Sequence, residues 1–139
     1  MTNRQVYKNK DMKISAIIER GSDGMFSVRS EQHFGNIYLG GFGASVAEAK
    51  QDFLDSVTEA MNETGSFSIP EILFSYDLPS FFNEFDYINA SKFARSVHIN
   101  ESKMRQYKSG AAFPNEKTTR KILSAIKRIG AELNSVTLI

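Results

Sequence analysis

Residues 90–109 constrain the fold more than any other stretch of this chain. The fourth, eighth, tenth, fifteenth and eighteenth places of that window hold Phe93, Val97, Ile99, Met104 and Tyr107, and the fifth holds Ala94. Two short helices that cross closely need a small residue at the fifth place, and the other five places form their shared core. This is the spacing of a helix-turn-helix. The ninth place usually carries Gly, because the turn there is left-handed. Here it carries His98, at a cost on the order of 1 kcal/mol relative to Gly, though His is one of the better tolerated types. Asn89 and Asn100 stand where N-caps belong, and Gly110 follows a second helix expected over 101–109.

The exposed face of that second helix would hold Ser102, Arg105, Gln106 and Ser109, flanked by Lys103 and Lys108. Arg can bond the O6/N7 edge of guanine bidentately, and Gln can bond the N6/N7 edge of adenine. Asn100 and Ser102, at the positive end of the helix, suit phosphate contact. Charge agrees with a polyanionic partner. Residues 1–77 carry 7 basic and 11 acidic side chains, a balance of −4, whereas 78–139 carry 10 and 5, a balance of +5. Within 92–128 there are 10 basic residues against 2 acidic, or +8. Beyond the window, Asn115 should cap a helix over about 116–133. Its Ile122, Ile126, Ile129 and Leu133 recur at helical spacing and are expected to face the core. The bland alternative for the whole tail is a helical hairpin with solvated polar residues.

The first half reads differently. Residues 13–20 are rich in β-branched types, and Gly21-Ser22-Asp23-Gly24 supplies a turn into Met25-Phe26-Ser27-Val28-Arg29, which alternates. A third strand is expected from Asn36 to Leu39, with Gly40-Gly41-Phe42-Gly43 as a tight turn into a helix. Ser45 and Glu48 have capping-box spacing for a helix over 46–62. Pro70 and Pro79 bracket a fourth strand, and the domain boundary is placed near 78. Residues 78–85 are aromatic. They should start another helix at Ser80 whose Phe side chains fill the small second domain or form a dimer contact. The order β-β-β-α-β followed by helices is an α+β architecture with domains 1–77 and 78–139. Residues 1–11 form a polar leader.

On the first helix Glu48, Asp52, Asp55, Glu59 and Glu63 fall on one face. Such a face is either solvated or a mimic of RNA phosphates that docks a basic partner. With no Cys, disulfide scaffolds, Cys-based zinc sites and thiol catalysis are excluded. A metal-dependent nuclease needs several carboxylates converging on the sheet to hold Mg²⁺, and the predicted strands offer only Glu19, Glu71 and Asp77, with no cluster evident. No catalytic residue, metal or cofactor is therefore expected, and the chain reads as a binding protein rather than an enzyme. No apolar run reaches membrane-spanning length and no signal segment follows the polar N-terminus, so a cytoplasmic location is expected.

Two stretches carry a resemblance to a known family. Ile14-Ser15-Ala16-Ile17-Ile18-Glu19, the Asp23-Gly24 turn and Gly43-Ala44-Ser45-Val46-Ala47-Glu48-Ala49 resemble the opening domain of HicB-family antitoxins of bacterial type II toxin–antitoxin systems. Residues Ile99-Asn100-Glu101-Ser102-Lys103-Met104-Arg105-Gln106-Tyr107-Lys108-Ser109-Gly110 and Pro114-Asn115-Glu116-Lys117 resemble the helix-turn-helix tail of that family. The resemblance spans about 12–139. It implies a partial ribonuclease H-like first domain that blocks a small, basic, messenger-RNA-cleaving toxin of the HicA type. It also implies a tail that binds and represses the protein's own operator, in a homodimer or tetramer. Carried over residue by residue, DNA contact falls on Asn100, Ser102, Lys103, Arg105, Gln106 and Ser109. For toxin contact the chain offers the acidic face Glu48, Asp52, Asp55 and Glu59. The competing reading is a stand-alone helix-turn-helix regulator whose first domain oligomerises or senses a ligand.

Overall fold

The computed structural model describes residues 13–32, 39–65 and 70–139. The polar leader and part of the expected third strand (36–38) lie outside the described residues. The described chain is mixed α+β and divides into two compact units, 1–85 and 86–139.

The first unit is a four-stranded sheet with helices. Strands β1 (Lys13–Arg20) and β2 (Phe26–Ser30) form the expected hairpin, joined by a turn in which Gly24 takes φ 82° and the Gly24 N–H bonds the Gly21 carbonyl. Strand β3 (Gly40–Gly43) pairs antiparallel with β2, and β4 (Glu71–Tyr76) pairs parallel with β1, giving the order β3-β2-β1-β4. Helix α1 (Val46–Glu63) covers one face. Alternation along the strands directs Ile14, Ala16, Ile18, Phe26 and Val28 beneath it, where they meet Val46, Ala49, Phe53, Val57 and Met61 in one buried core. The Ser45 hydroxyl accepts from the Glu48 N–H at 3.1 Å, as a capping box requires. The Glu48 carboxylate reaches the Ala44 N–H at 2.9 Å.

The glycine run is not a turn. Gly40–Gly43 is strand β3 itself, and the turn is Ala44-Ser45. A Cβ on Gly41 would collide with the Phe53 nitrogen and the Ala49 carbonyl oxygen, and one on Gly43 with the Glu48 Cβ. Glycine is required because α1 lies directly on the backbone of this strand.

The aromatic run after Pro79 also differs from expectation. Helix α2 (Leu78–Glu84) starts at Leu78 with Asp77 as N-cap, and it belongs to the first unit. Asp77 holds two elements at once. One carboxylate oxygen accepts from the Ser80 N–H at 2.8 Å and the other from the Arg20 N–H at 2.9 Å at the end of β1. Phe81 and Phe82 are buried and Phe85 stacks at a tilt on Tyr76 of β4. Asn83 caps the start of α1 through the Val46 N–H. The run therefore fills the sheet domain, which moves the boundary from 77/78 to 85/86.

The second unit is three helices: α3 (Ala90–Val97), α4 (Glu101–Ser109) and α5 (Glu116–Asn134). Phe93, Ala94, Val97, Met104 and Tyr107 are buried together with Ile122 and Ala125, while Ile99 is half-buried. The expectation that Ile126, Ile129 and Leu133 face a core holds only in part. Ile126 and Ile129 are half-buried and Leu133 is 63% exposed. Helices α3 and α4 are about 12–14 Å long and α5 about 28 Å, so the short pair cannot cover the long one.

Candidate nucleic-acid interface

Each helix of the second unit opens on an Asn whose side chain accepts the N–H three residues on. These bonds are Asn89 to Lys92 at 2.9 Å, Asn100 to Lys103 at 3.1 Å and Asn115 to Thr118 at 2.8 Å. The turn between α3 and α4 is closed at His98, with φ 59° and ψ 42°. Its N–H bonds the Arg95 carbonyl at 3.3 Å, and the next N–H, of Ile99, bonds the Ala94 carbonyl at 3.0 Å. That pair of bonds is a Schellman closure, with Ala94 and Ile99 as its apolar contact positions. Arg95 and Glu101 bridge the turn at 2.8 Å. Two basic side chains of α5 also cap this corner: Lys121 donates to the His98 carbonyl and Arg128 to the Ser96 carbonyl. Their hydrogen bonds therefore serve the end of α3.

Met104 and Tyr107 fix which side of α4 faces inward. At about 100° per residue, Ser102 and Ser109 point most directly outward, with Arg105 and Gln106 roughly 50° to either side. All six expected residues, Asn100, Ser102, Lys103, Arg105, Gln106 and Ser109, are exposed. They fall into groups. Asn100 is committed as a cap through its carbonyl oxygen. The Ser109 hydroxyl donates to the Gln106 carbonyl at 3.1 Å and accepts from the Ala111 N–H at 3.3 Å, so it helps close the helix before Gly110 turns left-handed at φ 81°. Lys103 leans over the Tyr107 ring at 5.8 Å. Arg105 reaches back to α3 and donates to the Ser91 hydroxyl at 3.2 Å.

Ser91 escaped the sequence reading. Its only trace is its place in the first turn of α3, fourteen residues before Arg105, and no local periodicity links such positions.

The acidic face of α1 also divides into two groups. Asp52 accepts from the backbone N–H of Phe42 at 2.9 Å and so seals the β3 edge of the sheet, while Glu48 accepts from that of Ala44 and holds the turn that follows β3. Asp55 accepts from the Gln51 side-chain amide of its own helix at 3.0 Å. Glu59 is exposed. Lys50, on the opposite flank, lies half-buried over the Phe74 ring at 4.5 Å, beside the Tyr76 hydroxyl and Glu84. The face of the sheet away from α1 presents Phe42, 70% exposed, and Leu73. Glu19 pairs with Arg29 and Glu71 with Lys13. Among the described residues no group of three or more His, Asp or Glu could hold a metal ion. No helix among them is long and apolar enough to cross a membrane.

No protein-family model, curated protein or solved structure matches this chain.

Proposed function

We propose that this chain is a cytoplasmic antitoxin of the HicB type. It represses its own operon through a helix-turn-helix and sequesters a HicA-like, messenger-RNA-cleaving toxin. In this reading α3 and α4 are the two helices of the motif, and α4 enters the major groove. The observation that carries it is the α4 surface. Met104 and Tyr107 anchor the helix inward, while Ser102, Arg105, Gln106 and Ser109 stand outward on a segment with a +8 charge balance. The partial ribonuclease H-like assignment of the first domain rests on the resemblance together with the β-β-β-α-β order.

The repressor acts as a homodimer or tetramer, reading half-sites about one helical turn, ~34 Å, apart. Support comes from α5, where Leu123, Ile126, Gly130 and Leu133 form a second row at +3, +4 and +3 beside the buried Ile122 and Ala125. Leu123 is 50% exposed, and Gly130 stands in mid-helix with open space around it. Such a row suits a neighbouring helix.

The test uses a duplex containing the DNA upstream of the protein's own gene. The Arg105→Ala/Gln106→Ala double variant should bind it at least tenfold more weakly, by fluorescence anisotropy, at unchanged thermal stability. Unaltered affinity rejects the recognition-helix assignment. For the toxin arm, Asp55→Lys/Glu59→Lys is the informative variant, because Asp52 and Glu48 also hold backbone. It should abolish co-purification of a small basic partner encoded beside the gene. The stand-alone regulator is favoured by that structural use of Asp52 and Glu48, and it predicts that no such partner co-purifies.

A further inference from the structure

Arg105 and Gln106 are neighbours in sequence but lie on opposite shoulders of α4. Gln106 turns away from Arg105 by about 100° around the helix axis. Arg105 takes the shoulder that faces the first turn of α3, where its guanidinium lies 3.2 Å from the Ser91 hydroxyl. Lys92 is exposed beside Ser91. In a helix-turn-helix the first helix crosses the DNA backbone and the second lies in the groove. A side chain of the second helix that is held back against the first helix is therefore aimed at the groove wall and not at its floor.

Resting on the DNA-binding reading above, we propose that the two side chains divide the work. Arg105, positioned by Ser91, anchors a phosphate of the DNA backbone, and Gln106 carries the base readout, with adenine as its partner. The guanidinium keeps further N–H groups for phosphate oxygens while one donates to Ser91. Gln106 uses its backbone carbonyl to close α4, and its exposed side-chain amide has the paired donor and acceptor that the N6/N7 edge of adenine matches. Ser91 is a positioning residue, since it acts on DNA through Arg105.

The experiment uses the full-length chain and a pool of synthetic duplexes with a randomised 20-bp core, sequenced after selection, alongside salt titrations on one non-selected duplex. Gln106→Ala should flatten the preference at one A·T pair and leave the salt slope alone. Arg105→Ala should weaken every duplex by about tenfold, keep the selected motif, and lower the salt slope by about one. Ser91→Ala should weaken all duplexes severalfold without altering the motif, and Ser91→Thr, which keeps the hydroxyl, should restore binding. Loss of preference at a G·C pair in Arg105→Ala with an unchanged salt slope overturns the division of labour and leaves DNA binding standing. A Ser91→Ala protein equal to the parent removes Ser91 from the scheme. A parent chain that binds no duplex overturns this proposal and the DNA-binding reading together.

Discussion

His98 offers the sharpest test of how the second unit is held. Its backbone sits at φ 59° and ψ 42°, the left-handed region, and it is the only non-glycine residue with positive φ among those described. That conformation costs an L-residue about 1–2 kcal/mol, with His at the low end. The bonds that require it are backbone bonds, His98 N–H to Arg95 and Ile99 N–H to Ala94, so any residue that tolerates the conformation keeps them. The imidazole is exposed and its removal uncovers little. His98→Gly removes the steric cost but loosens the unfolded chain by about 0.5–1 kcal/mol. The net expectation is a gain of about 0–0.5 kcal/mol. His98→Val should lose at least about 1 kcal/mol, since a β-branched residue is a true outlier at positive φ. Two compact units can unfold separately, so a global melt is the wrong readout. Native-state hydrogen exchange at the Ile99 and Met104 amides reports this unit directly. The glycine variant should slow exchange there by up to about twofold, and the valine variant should speed it by about 5 or more. A glycine variant that exchanges faster than the parent would refute the claim that backbone strain at this turn limits stability.

Other substitutions probe the sheet domain and self-association. Asp52→Ala strips the acceptor from the Phe42 N–H at the sheet edge and should cost about 1–2 kcal/mol in urea unfolding, whereas Asp55→Ala should stay within about 0.5 kcal/mol of the parent. Equal effects of the two would show that the β3 seal contributes nothing. Gly41→Ala places a Cβ against the backbone of α1 and should cost more than about 3 kcal/mol, or prevent recovery of folded protein, while Gly65→Ala, with open space but φ 76°, should cost about 1 kcal/mol. Leu123→Glu/Leu133→Glu should shift the chain to monomer in sedimentation velocity at micromolar concentration without loss of helix content. An unchanged sedimentation coefficient would remove α5 from the assembly.

Local chemistry made several features legible. The caps at Ser45, Asn89, Asn100 and Asn115 are visible because each helix start depends on one side chain and the N–H three residues later. The hairpin, the stripe of α1 and β4 between its prolines were readable from alternation, helical spacing and turn residues, which are also local. The glycine strand was not, because residues without side chains leave no alternation to read, and the need for glycine at Gly41 comes from a helix that packs on it later in the chain. The Phe81 and Phe82 pair announces burial, but an aromatic run cannot say which core it enters. That was decided by the Asp77 cap, which ties α2 back to the end of β1.

The same limit governs the functional surfaces. Periodicity identifies which side of a helix shares a direction, while the use of that side depends on what the fold brings near it. On α1 the four candidate docking acids share a direction, yet Asp52 holds backbone of β3 and Glu48 holds the turn after it, whereas Asp55 bonds Gln51 of its own helix and Glu59 is exposed. On α4 the outward set was readable from Met104 and Tyr107, yet the Ser91 contact that splits Arg105 from Gln106 is a tertiary one. A charge reversal of all four acids would therefore mix loss of a docking surface with loss of the β3 seal. Asp55→Lys/Glu59→Lys tests docking alone and Asp52→Ala tests the seal alone. If the first abolishes partner binding at full stability and the second lowers stability with binding intact, the two roles on this helix are separate. If both variants lose binding in proportion to stability, the acidic face has no docking role of its own.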